Sequence, residues 1–224
     1  MFNVYVGYDD RESIAYDVLQ HSIHRHTNKD VNIIPLKHRD LRAQGIFKRP
    51  WLTNGEDGTR TDLMDGKPFS TEFSHTRFLV PYLNDFKGWA LFLDCDMIFL
   101  NDIRFLLDRI DPRAAAMVVK HNHKPGEATK MDNQPQFQYH RKNWSSFILW
   151  NCAHKANRKL TPEYVNTASG REMHGLEWLE DNEIGHLGWD YNWIENVSPH
   201  SKRPSVIHYT LGGPWFRDNP ECHN

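Results

Sequence analysis

Cysteine is scarce. There are three in 224 residues, at positions 95, 152 and 222. They are too few and too scattered for a disulfide framework or a zinc knuckle, and they read as free thiols of a reducing, cytoplasmic compartment. Long apolar runs are missing as well. Nothing approaches the roughly 18 residues of a membrane span, so no integral membrane segment is expected. The opening MFNVYVGYDD has neither a basic stretch nor a small-residue cleavage site, so no secretory leader is expected. Positive charge is not in excess: 27 Lys and Arg stand against 29 Asp and Glu. That balance removes the basic footprint needed for nucleic acid. Internal repeats and low-complexity tracts are absent too. What is present is a folded-chain composition, 39% hydrophobic and 12% aromatic. The length suits one large domain or at most two small ones.

Short apolar runs alternate with longer amphipathic ones. Residues 2–7 (FNVYVG) and 31–36 (VNIIPL) read as strands. Between them Asp10 can cap a helix over about 12–26, with Ala15, Val18, Leu19 and Ser22 on one face. Residues 44–68, rich in Gly, Asp, Thr and Asn, read as a long mobile loop or lid. Ser70 or Thr71 then caps a helix carrying Phe73, Arg77 and Phe78, which Pro81 ends or kinks. Residues 89–93 (WALFL) are apolar without alternation, the pattern of a strand covered on both faces. Further strands are expected at 114–119, 147–150 and 205–209, a helix at 175–182 and a second loop at 120–143. The alternation argues α/β with a mostly parallel sheet.

The sharpest feature is LFLDCDMIFL at 91–100. Asp94 and Asp96 stand where a buried strand ends, and in extended chain residues two apart face the same side. Two like charges at the edge of a core repel unless a cation sits between them, and a divalent metal carrying phosphate oxygens is the economical choice. The position also suits a ligand site, at the carboxyl end of a strand; the other reading is a turn with two solvated acids. His208 lies in an apolar strand just before Gly212 and Gly213. It can be a metal ligand or a satisfied core histidine, and the glycines let backbone N–H groups approach an anion. In VGYDDRES, Gly7, Tyr8, Asp9 and Arg11 can line a base and ribose, or simply cap a helix. Arg77 can fork onto a phosphate or form an ordinary surface ion pair. Eight tryptophans are many. Trp51, Trp144, Trp189, Trp193 and Trp215 can stack on sugar faces, though each can equally be core.

In this order the four segments resemble GT-A glycosyltransferases, most of all the retaining, metal-dependent glycosyltransferase family 8. The matching segments are VYVGYD at 4–9, the S-x-x-R-F-x-x-P-Y-L stretch at 74–83, the acid pair at 92–96 and H-x-x-x-G-G-P-W at 208–215. The resemblance implies a single Rossmann-like GT-A domain over 1–224, with helices on both faces of the sheet. Its nucleotide-binding half would be about 1–100 and its acceptor-side half about 101–224. It implies Mn²⁺, or Mg²⁺, on Asp94, Asp96 and His208, and a UDP-sugar donor. Uridine would lie on Gly7, Tyr8 and Asp9. Arg77 and Asp94 would lie at the donor sugar, with Ser145 and Ser146 facing its hydroxyls. Glu177, with Asp190 as rival, would be the acid near the anomeric carbon. Family members often carry a lysine in the closing segment; here Gly212, Gly213 or Arg217 would take its place. The implied activity is transfer of a hexose, glucose first, to the hydroxyl of an acceptor whose pocket the loops 44–68 and 120–143 would shape.

Three other readings fit parts of this pattern. A phosphatase of the haloacid dehalogenase type also follows a hydrophobic strand with D-x-D, but near the amino terminus and before a small hydroxyl residue, where this chain has Met97. A metal-dependent nucleotidyltransferase also uses acid pairs. A non-catalytic sugar-nucleotide-binding module would need the same pocket without turnover. The released product separates them.

Overall fold

The computed structural model describes residues 1–27, 30–55, 59–121, 141, 144–195, 197–198, 203–210, 212–213 and 215. In chain order the strands are β1 Phe2–Gly7, β2 Val31–Leu36, β3 Trp51–Thr53, β4 Arg60–Asp62, β5 Pro68–Phe69, β6 Trp89–Leu93 and β7 Met97–Phe99. They continue as β8 Ala116–Val118, β9 Phe147–Asn151, β10 Ile184–His186, β11 Trp193–Ile194 and β12 Val206–His208. The helices are α1 Ser13–His26, α2 His38–Ala43, α3 Val80–Leu83, α4 Pro162–Thr167 and α5 Gly170–His174.

Six strands form the central sheet in the order β10-β8-β9-β6-β1-β2. The pairs β1/β2, β1/β6 and β8/β10 are parallel, while β9 runs against both β6 and β8. The fold is therefore α/β with a mostly parallel sheet and one reversed strand. Ala90, Leu91, Phe92 and Leu93 of β6 are all fully buried, as are Phe147 to Trp150 of β9. Consecutive residues can be buried only if both faces are covered, as the unbroken apolar runs require. A second sheet, β11-β12-β7, pairs β12 antiparallel to β7 with His208 opposite Met97. This pairing brings the late strand against the residues that follow β6.

Several local expectations shift. Asp9, not Asp10, caps the chain's first turn, accepting from the Arg11 N–H, and a 3-10 turn over Asp10–Glu12 precedes α1. The buried face of α1 is Ala15, Leu19, Ser22 and Ile23, while Val18 is 45% exposed; at 100° per residue, position 18 falls just outside that arc. The segment 44–68 is not simply a loop, because β3, β4 and β5 form a small antiparallel sheet within it. Its polar residues make the turns. Gly66 has φ +69°, and Asp65 accepts from the Lys67 N–H. The sheet is anchored by the fully buried Arg49, which pairs with Asp62 and donates to the Val165 and Ala168 carbonyls. In the seventies a 3-10 turn over Thr76–Leu79 leads into α3, and Pro81 opens that short helix rather than ending one. Instead of a helix at 175–182, α5 ends at His174 because Leu176 adopts φ +50°. Most of the stretch 120–143, together with Arg217 and Cys222, lies outside the described residues.

Candidate active site

The site begins where β6 ends. Asp94 follows Leu93, and its N–H donates to the Ser146 carbonyl at 3.0 Å. Asp96 precedes β7, and its carbonyl accepts from the Tyr209 N–H at 2.9 Å, next to His208 on β12. The turn between the strands thus carries both acids, and the β7–β12 ladder delivers the histidine. One ligand atom from each of Asp94, Asp96 and His208 lies within 4.8 Å of the others. His208 Nε2 is 3.2 Å from Asp96 Oδ1.

The tautomer of His208 follows from its neighbour. Nδ1 is 2.8 Å from Asn192 Oδ1, and the Asn192 amide nitrogen donates to Ser146 Oγ at 3.0 Å. A carbonyl oxygen only accepts, so Nδ1 carries the hydrogen, and in the neutral imidazole Nε2 presents a lone pair. That lone pair faces Asp96 Oδ1, a buried carboxylate oxygen that receives no hydrogen bond. Two electron-pair donors facing each other in a buried site call for a cation or a proton between them. Their 3.2 Å separation is also close to the ~3 Å between neighbouring oxygens or nitrogens around an octahedral divalent ion. The donor set of two carboxylates and one imidazole suits manganese or magnesium, and Asn192 is the outer partner that such a histidine needs.

Arg77 closes the other flank. Its guanidinium lies 4.9 Å above the Phe92 ring and 5.3 Å from the Phe73 ring, donates to the Ser145 carbonyl at 2.8 Å and stands 2.9 Å from Asp94 Oδ1. Ser145 and Ser146 are both buried and act as a hub. Between them they hold the Asp94 N–H, Arg77, Asn192 and, through Ser145 Oγ at 2.7 Å, His174 Nδ1.

The amino-terminal segment stands beside this cluster at the end of β1. Gly7 is required by packing, since a Cβ there would come within 2.3 Å of the Phe73 ring. Tyr8 is half-buried, with Lys37 Nζ 4.5 Å from its ring centre. Asp9 is fully buried, and its oxygens accept from the Arg11 N–H, the Arg11 guanidinium and the Glu72 N–H, with Arg60 at 3.6 Å. Burial alone would raise its pKa; the hydrogen bonds from Arg11 and the charges of Arg11 and Arg60 outweigh it and hold the carboxyl below its usual range. Gly212 and Gly213 are buried, Gly212 with φ +93°, and a Cβ on Gly213 would strike the Trp215 ring.

Glu177 and Asp190 are placed differently. Glu177 is half exposed and pairs with Arg171 at 3.5 Å. Asp190 accepts from the Ser205 hydroxyl at 2.7 Å, and its carbonyl takes the Ser205 N–H. Of the tryptophans, Trp189 is half exposed and Trp193 is buried, while Trp51 packs edge-on against Phe69 under Arg42.

Three residues of the site escaped the sequence reading. Asn192 sits in the aromatic frame WDYNW, and a polar residue in such a frame must find a buried partner. His174 lies at the end of α5, in the segment from which the sequence reading took only Glu177. Glu12 stands just before α1, at the start of the helix expected over about 12–26, so a carboxylate in register with its apolar face is a legible signal. It is 1% exposed, and its Oε2 takes the Cys95 thiol at 3.1 Å. Burial and then the nearby Asp96 push its pKa up to about 8. Burial and then Glu12 likewise raise the Cys95 thiol well above its usual range.

No family profile matches the chain. Among solved structures, the bifunctional glycosyltransferase WbbM aligns with 93% of this chain at TM-score 0.56 and 16% identity. The chain spans 45% of WbbM's length. The galactosyltransferase LgtC, crystallised with donor and acceptor sugar analogues, aligns with 98% of this chain and 91% of its own at TM-score 0.55 and 14% identity. At these identities the likeness establishes the fold, which is that of GT-A glycosyltransferases. In sequence, Protein CDI of Arabidopsis thaliana is 43% identical over 226 residues, covering 99% of this chain and 82% of that protein. An identity of that size over nearly the whole chain leaves one assignment, and the chain belongs to the family of Protein CDI.

Proposed function

We propose that this protein is a metal-dependent hexosyltransferase resembling glycosyltransferase family 8. It would move a hexose, glucose first, from a UDP-sugar to an acceptor hydroxyl with retention of anomeric configuration. The observation that carries the reading is the Asp94–Asp96–His208 cluster at the carboxyl end of β6, in which Asp96 and His208 are buried and Asp96 Oδ1, with no hydrogen bond, faces His208 Nε2 at 3.2 Å. Asp94, Asp96 and His208 would hold Mn²⁺ or Mg²⁺. When bound, the ion supplies charge neutralisation for a diphosphate leaving group.

The remaining work belongs to the chain's own residues. Asn192 keeps His208 in the tautomer that binds. Tyr8, Gly7 and the frame built by Asp9 and Arg11 shape the nucleoside side. Arg77, held by Ser145, meets the donor at Asp94 with a planar cation. Ser145 and Ser146 order the floor beneath the sugar, and Gly212 and Gly213 bring backbone close to the diphosphate. In the transfer, the C1–O bond to the diphosphate breaks and the acceptor oxygen bonds to C1. The acceptor's proton passes to the leaving phosphate oxygen on the same face.

The test is donor turnover. The protein is incubated with a panel of nucleotide sugars, in Mn²⁺ or EDTA, and release of nucleoside diphosphate is followed beside Asp96→Ala. UDP release from one sugar that needs the metal and disappears in Asp96→Ala is the expected result, with anomeric analysis of the product deciding retention. Release of free phosphate or pyrophosphate instead would overturn the transferase reading. Tight UDP binding without turnover, in the presence of acceptors, would make the chain a binding module.

A further inference from the structure

We propose that His174 is a positioning residue of this site, acting through Ser145 on the Arg77–Asp94 pair; the inference rests on the sugar-transfer reading above. Ser145 is 3% exposed, and its two polar groups serve different partners. The carbonyl accepts from Arg77 at 2.8 Å, and the hydroxyl meets His174 Nδ1 at 2.7 Å. Arg77 in turn stands 2.9 Å from Asp94. Through Ser145, polar contacts therefore link His174 to Arg77 and on to the first acid of the pair.

The ring of His174 is fixed on several sides. Phe78 meets it edge-on at 5.2 Å, and His75 at 6.4 Å. Behind it, Arg141 donates to the Gly175 and Leu176 carbonyls at 2.7 and 2.9 Å and pairs with Asp181. Arg141 and Leu176 both hold left-handed φ angles, +62° and +50°. Non-glycine residues in that region are strained and persist only where surrounding contacts over-determine them. The turn that carries His174 is thus held in place against strain. The other charged or titratable groups of the elements around it are Arg77 and His75 beside Phe78, and Arg171, Glu172 and Glu177 on and after α5. Burial, then the charges of Arg49 and Arg77, keep His75 neutral.

A serine hydroxyl has one hydrogen. When His174 offers the Nδ1 lone pair, Ser145 donates to it and turns oxygen lone pairs to its other neighbours. When His174 is protonated, Nδ1–H donates and the Ser145 hydrogen must turn elsewhere. His174 therefore decides whether Ser145, which fixes Arg77 through its own backbone, is an acceptor or a donor toward the pocket.

The experiment compares His174→Asn, whose amide can replace Nδ1 without titrating, with His174→Phe, which fills the space without a partner. Each is measured for UDP release with the donor sugar that wild type uses. We expect His174→Phe to lose about 10–100-fold in kcat, the range seen for outer partners of a site, with KM for the donor changed less. His174→Asn should stay within a few-fold of wild type and lack the acid limb of the wild-type pH–kcat profile. In histidine NMR spectra, the resonance missing from His174→Asn should titrate at a different pH in Ser145→Ala. If both His174 variants match wild type in kcat and pH profile, or if His174→Asn falls as far as His174→Phe with its pH profile intact, His174 has no such role. If wild type itself releases no UDP from any donor, the transferase reading has failed first, and a titration unmoved by Ser145→Ala then removes the Ser145–His174 coupling as well.

Discussion

Two buried carboxylates stand at the ends of neighbouring parallel strands, and they have been treated in opposite ways. Asp9, after β1, is fully buried and fully answered by Arg11, the Glu72 N–H and Arg60. Asp96, after β6, is 8% exposed, and its Oδ1 faces the imidazole of His208 with no hydrogen bond. The first is a closed ion cluster that ties the segment after β1 to residues 60–72. In the second, the Asp96 Oδ1 and His208 Nε2 atoms face each other at 3.2 Å, a pair that could hold a metal ion together with Asp94. An internally satisfied acid contributes to the fold; an unsatisfied one at a strand's carboxyl end is a candidate for holding a ligand.

The comparison can be broken from either end, and the largest effect is expected at the Asp96 cluster. Asp96→Ala should lower metal-dependent UDP release by more than ~10³-fold, about 4 kcal/mol of transition-state stabilisation. In EDTA it should leave the melting temperature unchanged or higher, since it removes a buried charge with an unmet oxygen. A clear loss of stability in EDTA would show that Asp96 is a structural acid like Asp9. At the closed cluster the signs reverse. Asp9→Ala should cost about 2–3 kcal/mol in urea unfolding, because Arg60 and the Glu72 N–H lose a buried partner. Wild-type stability there would mean that the cluster is solvated rather than structural.

Glu12 sharpens the contrast by pH. Its folded pKa, about 8, lies above the ordinary 4.5. Between those values the native state holds a proton that the unfolded chain has released, so stability present at low pH is lost as pH rises through the window. The slope from this one group is about 1.4 kcal/mol per pH unit. Glu12→Gln, in EDTA, should flatten the fall in melting temperature between pH 5 and pH 8; an unchanged slope would place the titration elsewhere. The smallest effect is expected from Asn192→Leu. Freed from its tautomer control, His208 should bind Mn²⁺ about tenfold more weakly by calorimetry. Equal affinity would remove Asn192 from the site.

Much of the architecture was legible because the apolar runs are unambiguous. WALFL and FILW read as strands and are strands in the fold, and the bounds of β1 and β2 match the apolar segments residue for residue. Reading failed where local polarity hid tertiary support. Residues 44–68 look like loop because their strands are two or three residues long and their stability comes from Arg49, which reaches carbonyls more than a hundred residues away. The expected helix at 175–182 failed because Leu176 adopts a left-handed conformation beside the Arg141 contacts, a choice that no helix propensity reveals.

The same division runs through the site. Asp94, Asp96 and His208 were visible as polar residues embedded in apolar strands, since such a pattern demands a partner whatever the fold. By itself the sequence determined which strands are buried and that two acids and a histidine end or interrupt them. Only the tertiary structure decided that the β7–β12 ladder sets the histidine 3.2 Å from Asp96. It alone decided that Asn192 fixes the tautomer, that Asp9 is already satisfied and that His174 reaches Ser145. Apart from the Arg11 bonds to Asp9, those facts depend on contacts between residues 16 to more than 100 positions apart. Periodicity and propensity act over a few residues; the geometry of a site is set by which distant side chains the packed core leaves within reach.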